Sequence, residues 1–449
     1  MKRLSLATVP EAQGVDLPPY GRPAAAPFVH LGFGAFARAH LAVYADDLLR
    51  AGRAAGIRAV SLRHRRAEDE LAPQDGLFTV TVREPSVPAT LQLVGAVRSV
   101  TTGAAVAIGA IADPSTTFVT LTVTEKGYAP GGADAAPEVV AEGLRARRRD
   151  GGTGIVVASL DNLSDNGQVL RAQVLEAADR LEDGLPAWIE RHVAFPCSVV
   201  DRMVPATTEA DLADVRARLG LVDDAAVVAE AHRSWVIEAV DGLPPLQEVG
   251  VEVVADVGAQ QQRKLWLLNG PHSALAYGGL LAGHDSIAAA AEDAVVAAFV
   301  RRLVDDVLEV MQPVDPGNAS YTASSLRRFR NAALGHTCAQ VGADGSQKLV
   351  QRVFPVVAAR RAAGLDTSRP ALVVAVWLAA VTGVPLAGRV LPTVVDPAGD
   401  ALRAAMRAGG PPAAVDLALA AGPRTWAPEV LSALDRLVAC GAGALEEGA

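Results

Sequence analysis

Residues 28–50, FVHLGFGAFARAHLAVYADDLLR, place a short apolar strand, a glycine turn and an amphipathic helix in immediate succession. No other feature constrains the fold as much. A strand-turn-helix opening has to bury its helix against a sheet, so the chain that follows must supply further strands beside the first. Apolar runs do follow, at Ile57 (IRAVSL), Phe78 (FTVTV), Thr116 (TTFVTLTVTE) and Gly154 (GIVVASLDN), alternating with helical stretches. The expectation is an α/β domain with a doubly wound parallel sheet over residues 1–262. From about Lys264 the character changes to long Ala/Leu/Val segments of helical period, at 264–284, 286–311 and 370–381. Residues 263–449 are therefore expected to form a mainly α-helical domain.

Composition narrows the function classes. Hydrophobic residues make up 50% of the chain and aromatic ones only 4%, so the interior is built from Ala, Val and Leu, which suits packed helices and parallel strands. A net charge of −9 with scattered basic residues offers no footprint for nucleic acid or an anionic membrane, which leaves a small-molecule substrate as the expected partner. Cys197, Cys338 and Cys440 are too few and too far apart for a disulfide framework or a zinc site. The longest apolar stretch, ALVVAVWLAAVTGVPLAG from Ala371, reads as a buried helix ended by Gly383 and Pro385, and a cytoplasmic location is expected.

Within the first turn, Gly32, Gly34 and Ala37 match the G-x-G-x-x-G/A spacing directly between strand and helix. Gly32 permits the tight turn. Gly34, with Ala35 and Phe36 behind it, leaves room for a dinucleotide pyrophosphate, and Ala37 allows close helix–strand packing. The second strand should then end in an acid that holds the ribose hydroxyls of NAD, but Leu62 is followed by Arg63, His64, Arg65 and Arg66. Either these arginines meet the 2′-phosphate of NADP or they form a solvated loop.

A second constellation lies in QQQRKLWLLNGPHSALAYGG, which holds Lys264, Asn269 and His272. On a regular helix they fall at about 0°, 140° and 80°, within one broad face. A polar trio on an apolar helix suits metal-free alcohol oxidation, with a lysine base, an amide that stabilises the alkoxide and a group that fixes the substrate. The competing reading is a lysine at a helix end, with Asn269-Gly270-Pro271 as the terminator. His30, His64, His192, His232 and His336 are not at ligand spacing, and no metal site is expected.

These segments, together with QDGLFTV from Gln74, TEKGY from Thr124, SLDNLSDNG from Ser159, FPCSVVDRMVPATT from Phe195, WVIE from Trp235 and DGSQK from Asp344, resemble the polyol-specific long-chain dehydrogenases, the mannitol dehydrogenase and fructuronate reductase (mannonate oxidoreductase) family. The resemblance covers most of the chain. It implies a Rossmann-type N-terminal domain, a helical C-terminal domain and an NAD(P)-dependent oxidoreductase, with NAD as the usual cofactor and NADP left open by the missing acid. It further implies that Lys264 is the general base, that Asn162 and Asn269 stabilise the oxyanion, and that His272, Asp201 and Lys348 bind the substrate chain. Glu125 and Lys126, in the TEKGY segment, are expected at the cofactor with Arg63. Two positions depart from the family pattern: Gln261 stands where a glutamate commonly precedes the catalytic lysine, and Ala37 where a histidine is common.

In the segment HTCAQVGADGSQKLVQR, Gln340 stands where mannitol dehydrogenases tend to carry arginine. The segment resembles the uronate-reducing branch more closely, with Gln351-Arg352 after the DGSQK motif. On a helix Lys348 and Arg352 share a face, which would set two positive charges, alongside Gln340, at a substrate carboxylate. The expected activity is hydride transfer between an aldonate and its keto sugar, with mannitol or arabinitol 2-dehydrogenation as the alternative. A non-catalytic sugar or nucleotide sensor would have no use for the intact Lys264, Asn269, His272 and Asn162 set.

Overall fold

Strand β1 (Phe28–Leu31) is buried at all four positions, as a continuous apolar run must be at the centre of a sheet covered on both faces. In the computed structural model, which describes residues 1–85, 87–123, 125–128, 134–312 and 315–446, β1 pairs in parallel with β2 (Ile57–Ser61) and β6 (Phe118–Leu121). Outside these lie β5 (Val97–Thr102), β7 (Ile155–Ser159) and the short β8 (Val193–Ala194), giving the order β5-β2-β1-β6-β7-β8 with every pairing parallel. Numbered by their succession in the chain the strands run 3-2-1-4-5-6, the Rossmann order, and the direction reverses between β1 and β6. Helix Leu41–Arg50 packs on one face, and helices Ala104–Ala112 and Ala136–Arg149 on the other.

The run FTVTV was expected in this sheet and is elsewhere. It forms β3 (Phe78–Arg83), pairs antiparallel with β4 (Thr90–Val94) and parallel with β10 (Val227–Glu230), and so builds a separate three-stranded sheet. A hairpin strand has its partner a few residues away and needs no crossover helix, so β3 and β4 pair locally while VRSVTT takes the third place in the parallel sheet. A third small sheet joins β9 (Ser198–Asp201), β11 (Ser234–Glu238) and β12 (Glu252–Val254).

The first helix is also not continuous. It breaks at His40 (φ −117°, ψ −79°) between Ala35–Ala39 and Leu41–Arg50. The buried imidazole there stacks on Phe36, one turn back, and shares a hydrogen bond of 2.9 Å with the Ser234 carbonyl of a distant strand. Likewise the 286–311 segment divides at Asp293, whose carboxylate accepts the first N–H groups of helix Ala294–Val310.

The chain divides into two units, Met1–Gly258 and Ala259–Ala449. The second is mainly helical. Its central helix, Ser368–Thr382, is buried from Pro370 to Val381 and closed by Gly383 at φ +78°. Among the described residues no helix is long and apolar enough to cross a membrane.

Two histidines of the first unit are sealed in its core. His30 lies between Thr120 (2.8 Å) and Thr122 (2.9 Å), and burial lowers its pKa from the ordinary 6.5 to about 3. His40 is lowered to about 3 as well, first by burial and then by the charges of Arg202 and Arg233. Between pH 6.5 and 3 the unfolded chain binds these protons and the folded chain does not, so stability is full above pH 6.5 and falls with pH across that window. Thermal midpoints measured from pH 7 to 4 should fall, and His30→Gln should flatten the slope. An unchanged slope in the variant would show that His30 takes no part.

Candidate functional site

At the point where the sheet reverses, the carboxyl ends of β1 and β6, with that of β2 beside them, open on a cavity of about 710 Å³ lined by Gly32, Gly34, Ala35, Arg63 and Thr122. Gly32 has φ +89°, and a Cβ there would lie 2.2 Å from the Thr122 carbonyl oxygen, so only glycine fits. Gly34 differs. Its φ of −82° is open to any residue, and a Cβ would meet nothing within 4 Å. The open space at Gly34 is a cradle that a side chain would fill, and it fits the approach of a pyrophosphate. Phe36 does not face this cavity, because its ring is turned onto His40 with centroids 5.0 Å apart. The side chains of Glu125 and Lys126 lie outside the described residues.

The cavity also takes in two residues that the sequence did not flag. Arg38 is buried and donates to Glu70 (3.0 Å) and to the Ala225 carbonyl (2.8 Å). Glu70 in turn accepts from Arg66 at 2.7 Å. The only sequence signal was the arginine that follows Ala37 in the turn motif.

In the second unit Lys264 does not end a helix. Helix Gly258–Lys264 runs into a π-helical turn, Leu265–Asn269, and on into helix Gly270–Ala282. The terminator reading of Asn269-Gly270-Pro271 is therefore overturned. Pro271 has no N–H to donate, and its ring crowds the carbonyl four residues back. A wider turn relieves both constraints, and the Gly270 N–H reaches back five residues to the Leu265 carbonyl. Residues five apart are hydrogen-bonded across such a turn, so Asn269 falls closer to the face of Lys264 than the about 140° of a regular helix.

Asn269 is buried, and its Nδ2 has no hydrogen-bond partner among the described residues. The same holds for Nε2 of His272. Each leaves a desolvation penalty unanswered, as do other buried atoms such as His40 Nδ1 and Trp235 Nε1, but these two stand three residues apart on one helix. His272 is stacked on Phe329, with centroids 4.7 Å apart and planes 16° apart, and lies 6.2 Å from His336. Burial holds its pKa well below 6.5, and the charges of His336, Arg352, Lys348 and Arg328 act in the same direction. The imidazole is neutral, in a field of cations.

Those cations come from two places. Lys348 and Arg352 lie four residues apart on helix Gly345–Arg352. Gly345 fixes the start of that helix, since a Cβ there would lie 2.2 Å from Trp377 Nε1, while Asp344 takes a left-handed φ of 57°. Arg352 donates to Ser273 Oγ (3.0 Å) and the Asn269 carbonyl (3.5 Å), and Lys348 to the Val341 carbonyl (3.3 Å). Arg328 lies in helix Gly317–Phe329 near Arg327 and Arg330, and nothing in its sequence context set it apart. Gln340 is not part of this cluster. It is exposed, and its side chain closes a capping box with Thr337.

In the first unit Asn162 is exposed in the loop that follows β7, and Asp201 ends β9 with a carboxylate 3.4 Å from His232. Arg202, next in the chain, is engaged with the carbonyls of Ala39 and Glu230. The loop is held by Asn166, a residue missed in the sequence although it stands in the SLDNLSDNG motif. Its buried amide donates to the Ser159, Asp161 and Ser198 carbonyls and accepts from Ser198 N–H at 2.9 Å.

A Rossmann cavity in one unit and a lysine-amide-imidazole set in the other are the parts of a nicotinamide-dependent alcohol dehydrogenase. The models of the mannitol dehydrogenase Rossmann domain and C-terminal domain match residues 27–248 and 256–421, and the chain belongs to that family. It is an oxidoreductase acting on CH–OH groups. Over 403 residues it is 36% identical to D-mannonate oxidoreductase of Escherichia coli strain K12, covering 82% of each chain. It is 35% identical to mannitol 2-dehydrogenase of Cereibacter sphaeroides over 401 residues, 81% of this chain and 83% of the other. Its structure is similar to Pseudomonas fluorescens mannitol 2-dehydrogenase in a ternary complex with NAD and D-mannitol, with a TM-score of 0.88 and 30% identity over 99% of this chain and 97% of that one.

Replacing an unpartnered buried amide by an apolar group of similar size removes a penalty rather than a bond. Asn269→Leu should therefore unfold at or above the thermal midpoint of the parent in a calorimetric scan. A drop of several degrees would show that the amide is structural.

Proposed function

We propose that this chain interconverts an aldonate and its keto sugar, as in mannonate and fructuronate, with Lys264 as the base. The observation that carries the reading is the pair of polar atoms, Asn269 Nδ2 and His272 Nε2, that have no hydrogen-bond partner among the described residues and lie on the helix of Lys264. In the oxidising direction the Lys264 amine takes the hydroxyl proton while the Asn269 amide donates to the oxygen as charge develops on it. His272, neutral at working pH, gives the substrate a hydrogen bond and does not compete as a base. The nicotinamide dinucleotide supplies or accepts the hydride when bound, held at Gly32 and Gly34. NAD is the cofactor named with the Pseudomonas fluorescens enzyme. The family roles of Asn162 as a second oxyanion donor and of Asp201 as a partner for substrate hydroxyls are proposed with this set.

The preference for an acid rests on Lys348, Arg352 and Arg328, whose charges converge on His272 and give a carboxylate several donors. One observation favours the alternative, a neutral hexitol or pentitol: Arg352 is already bonded to Ser273 and the Asn269 carbonyl, the position of a residue that braces the π turn.

Lys264→Ala should bind reduced cofactor with little change and lower turnover by about 100-fold or more, as loss of a general base does. Turnover within a few-fold of the parent would sink the assignment. Across a substrate panel, kcat/KM for fructuronate should exceed that for fructose, and Arg352→Gln should lower the first more than the second. A preference of about tenfold or more for mannitol or arabinitol, some 1.4 kcal/mol, would move the chain to the polyol branch.

A further inference from the structure

The segment after β2 carries a feature that hydride transfer leaves unexplained. In a Rossmann fold the end of the second strand faces the adenosine ribose, and an acid there binds both ribose hydroxyls and repels a phosphate. Here β2 ends at Ser61, beside Gly32, whose N–H donates to the Val60 carbonyl at 3.0 Å. Residues 61–64 are Ser, Leu, Arg and His, with no acid, and all four face the cavity that Gly32 and Gly34 open.

The neighbouring charges sort unevenly. Arg65 is paired with Glu68 (3.3 Å) and Asp69 (3.4 Å), and Arg66 with Glu70 (2.7 Å). Arg63 and His64 are exposed and have no hydrogen bond or ion pair among the described residues. Four acids also face the cavity: Glu70, Asp134, Glu209 and Asp224. Glu70 is neutralised by Arg38 and Arg66, Asp224 lies 3.2 Å from Arg3, and none of the four belongs to the segment that ends β2. An unengaged guanidinium therefore stands where the family of NAD sites would place a carboxylate. The acids of the following helix are meanwhile held by other arginines.

We propose that Arg63, with His64 beside it, binds a phosphate on the 2′ position of the adenosine ribose, so that this chain selects NADP(H) over NAD(H). The proposal rests on the reading of the cavity as a dinucleotide site and adds to it the residue that sets the choice. Arg63 is suited to the task because its planar fork can donate two parallel hydrogen bonds to phosphate oxygens.

Titration calorimetry of the full chain with 2′,5′-ADP and with 5′-ADP tests it without turnover. The 2′-phosphate should tighten binding by about tenfold or more, the scale of charge-assisted hydrogen bonds. Arg63→Ala should abolish most of that gain while weakening 5′-ADP much less, and Arg63→Lys should keep part of it. Direct fluorescence titration of NADPH and NADH should show the same order. Equal binding of the two probes by the parent, tighter binding of 5′-ADP, or an undiminished gain in Arg63→Ala overturns the selection while leaving the dinucleotide site intact. If neither probe binds, the dinucleotide reading falls too.

Discussion

A proline in the middle of a buried helix sets the geometry of the catalytic unit. Pro271 breaks the regular hydrogen-bond ladder, the chain answers with one π turn, and the change of phase narrows the angle between Lys264 and Asn269. A Cβ at Gly270 would lie 3.2 Å from the Arg352 carbonyl, so a side chain there would push the Arg352 backbone aside by a few tenths of an ångström. Arg352 in turn bonds the Asn269 carbonyl and the Ser273 hydroxyl, so the helix that carries Lys348 is fastened to the same irregular turn.

What the sequence disclosed and what it withheld divide along physical lines. The glycine turn, the parallel sheet and the helical second unit were legible because period and turn chemistry are local properties. The sheet to which FTVTV belongs was not legible, because an apolar strand carries no label for its partner and the hairpin with TLQLV competes with the crossover. The break at His40 was hidden for a different reason: it depends on the Ser234 carbonyl, almost two hundred positions away in the chain. For Lys264, Asn269 and His272, residue types and spacing marked the positions, but the same Gly-Pro pair read equally well as a helix stop. Only packing decides that the helix continues. Arg328 and Asn166 stayed invisible because their importance lies in what the fold brings beside them.

The two units handle buried imidazoles differently. His30 is satisfied on both nitrogens by threonines, and its neutrality serves the core. His272 is also neutral but only half-buried, and its Nε2 is covered yet has no partner among the described residues, with cations around the ring. His30 closes its hydrogen bonds within the protein, whereas His272 keeps one open, as His40 does at Nδ1, but only His272 does so among cations on the helix of Lys264.

The contrast between Gly32 and Gly34 has a consequence for how selection acts on the motif. Gly32 answers to the protein itself, through its backbone angle and the Thr122 carbonyl. Gly34 has an ordinary backbone and empty space above it, so nothing inside the folded chain requires it to lack a side chain. Its smallness is an imprint of something outside the polypeptide. Variants at the two positions should part company when abundance and activity are scored separately: residue 32 constrained in both, residue 34 tolerant in abundance and intolerant in activity. The comparison measures where the fold ends and the ligand begins.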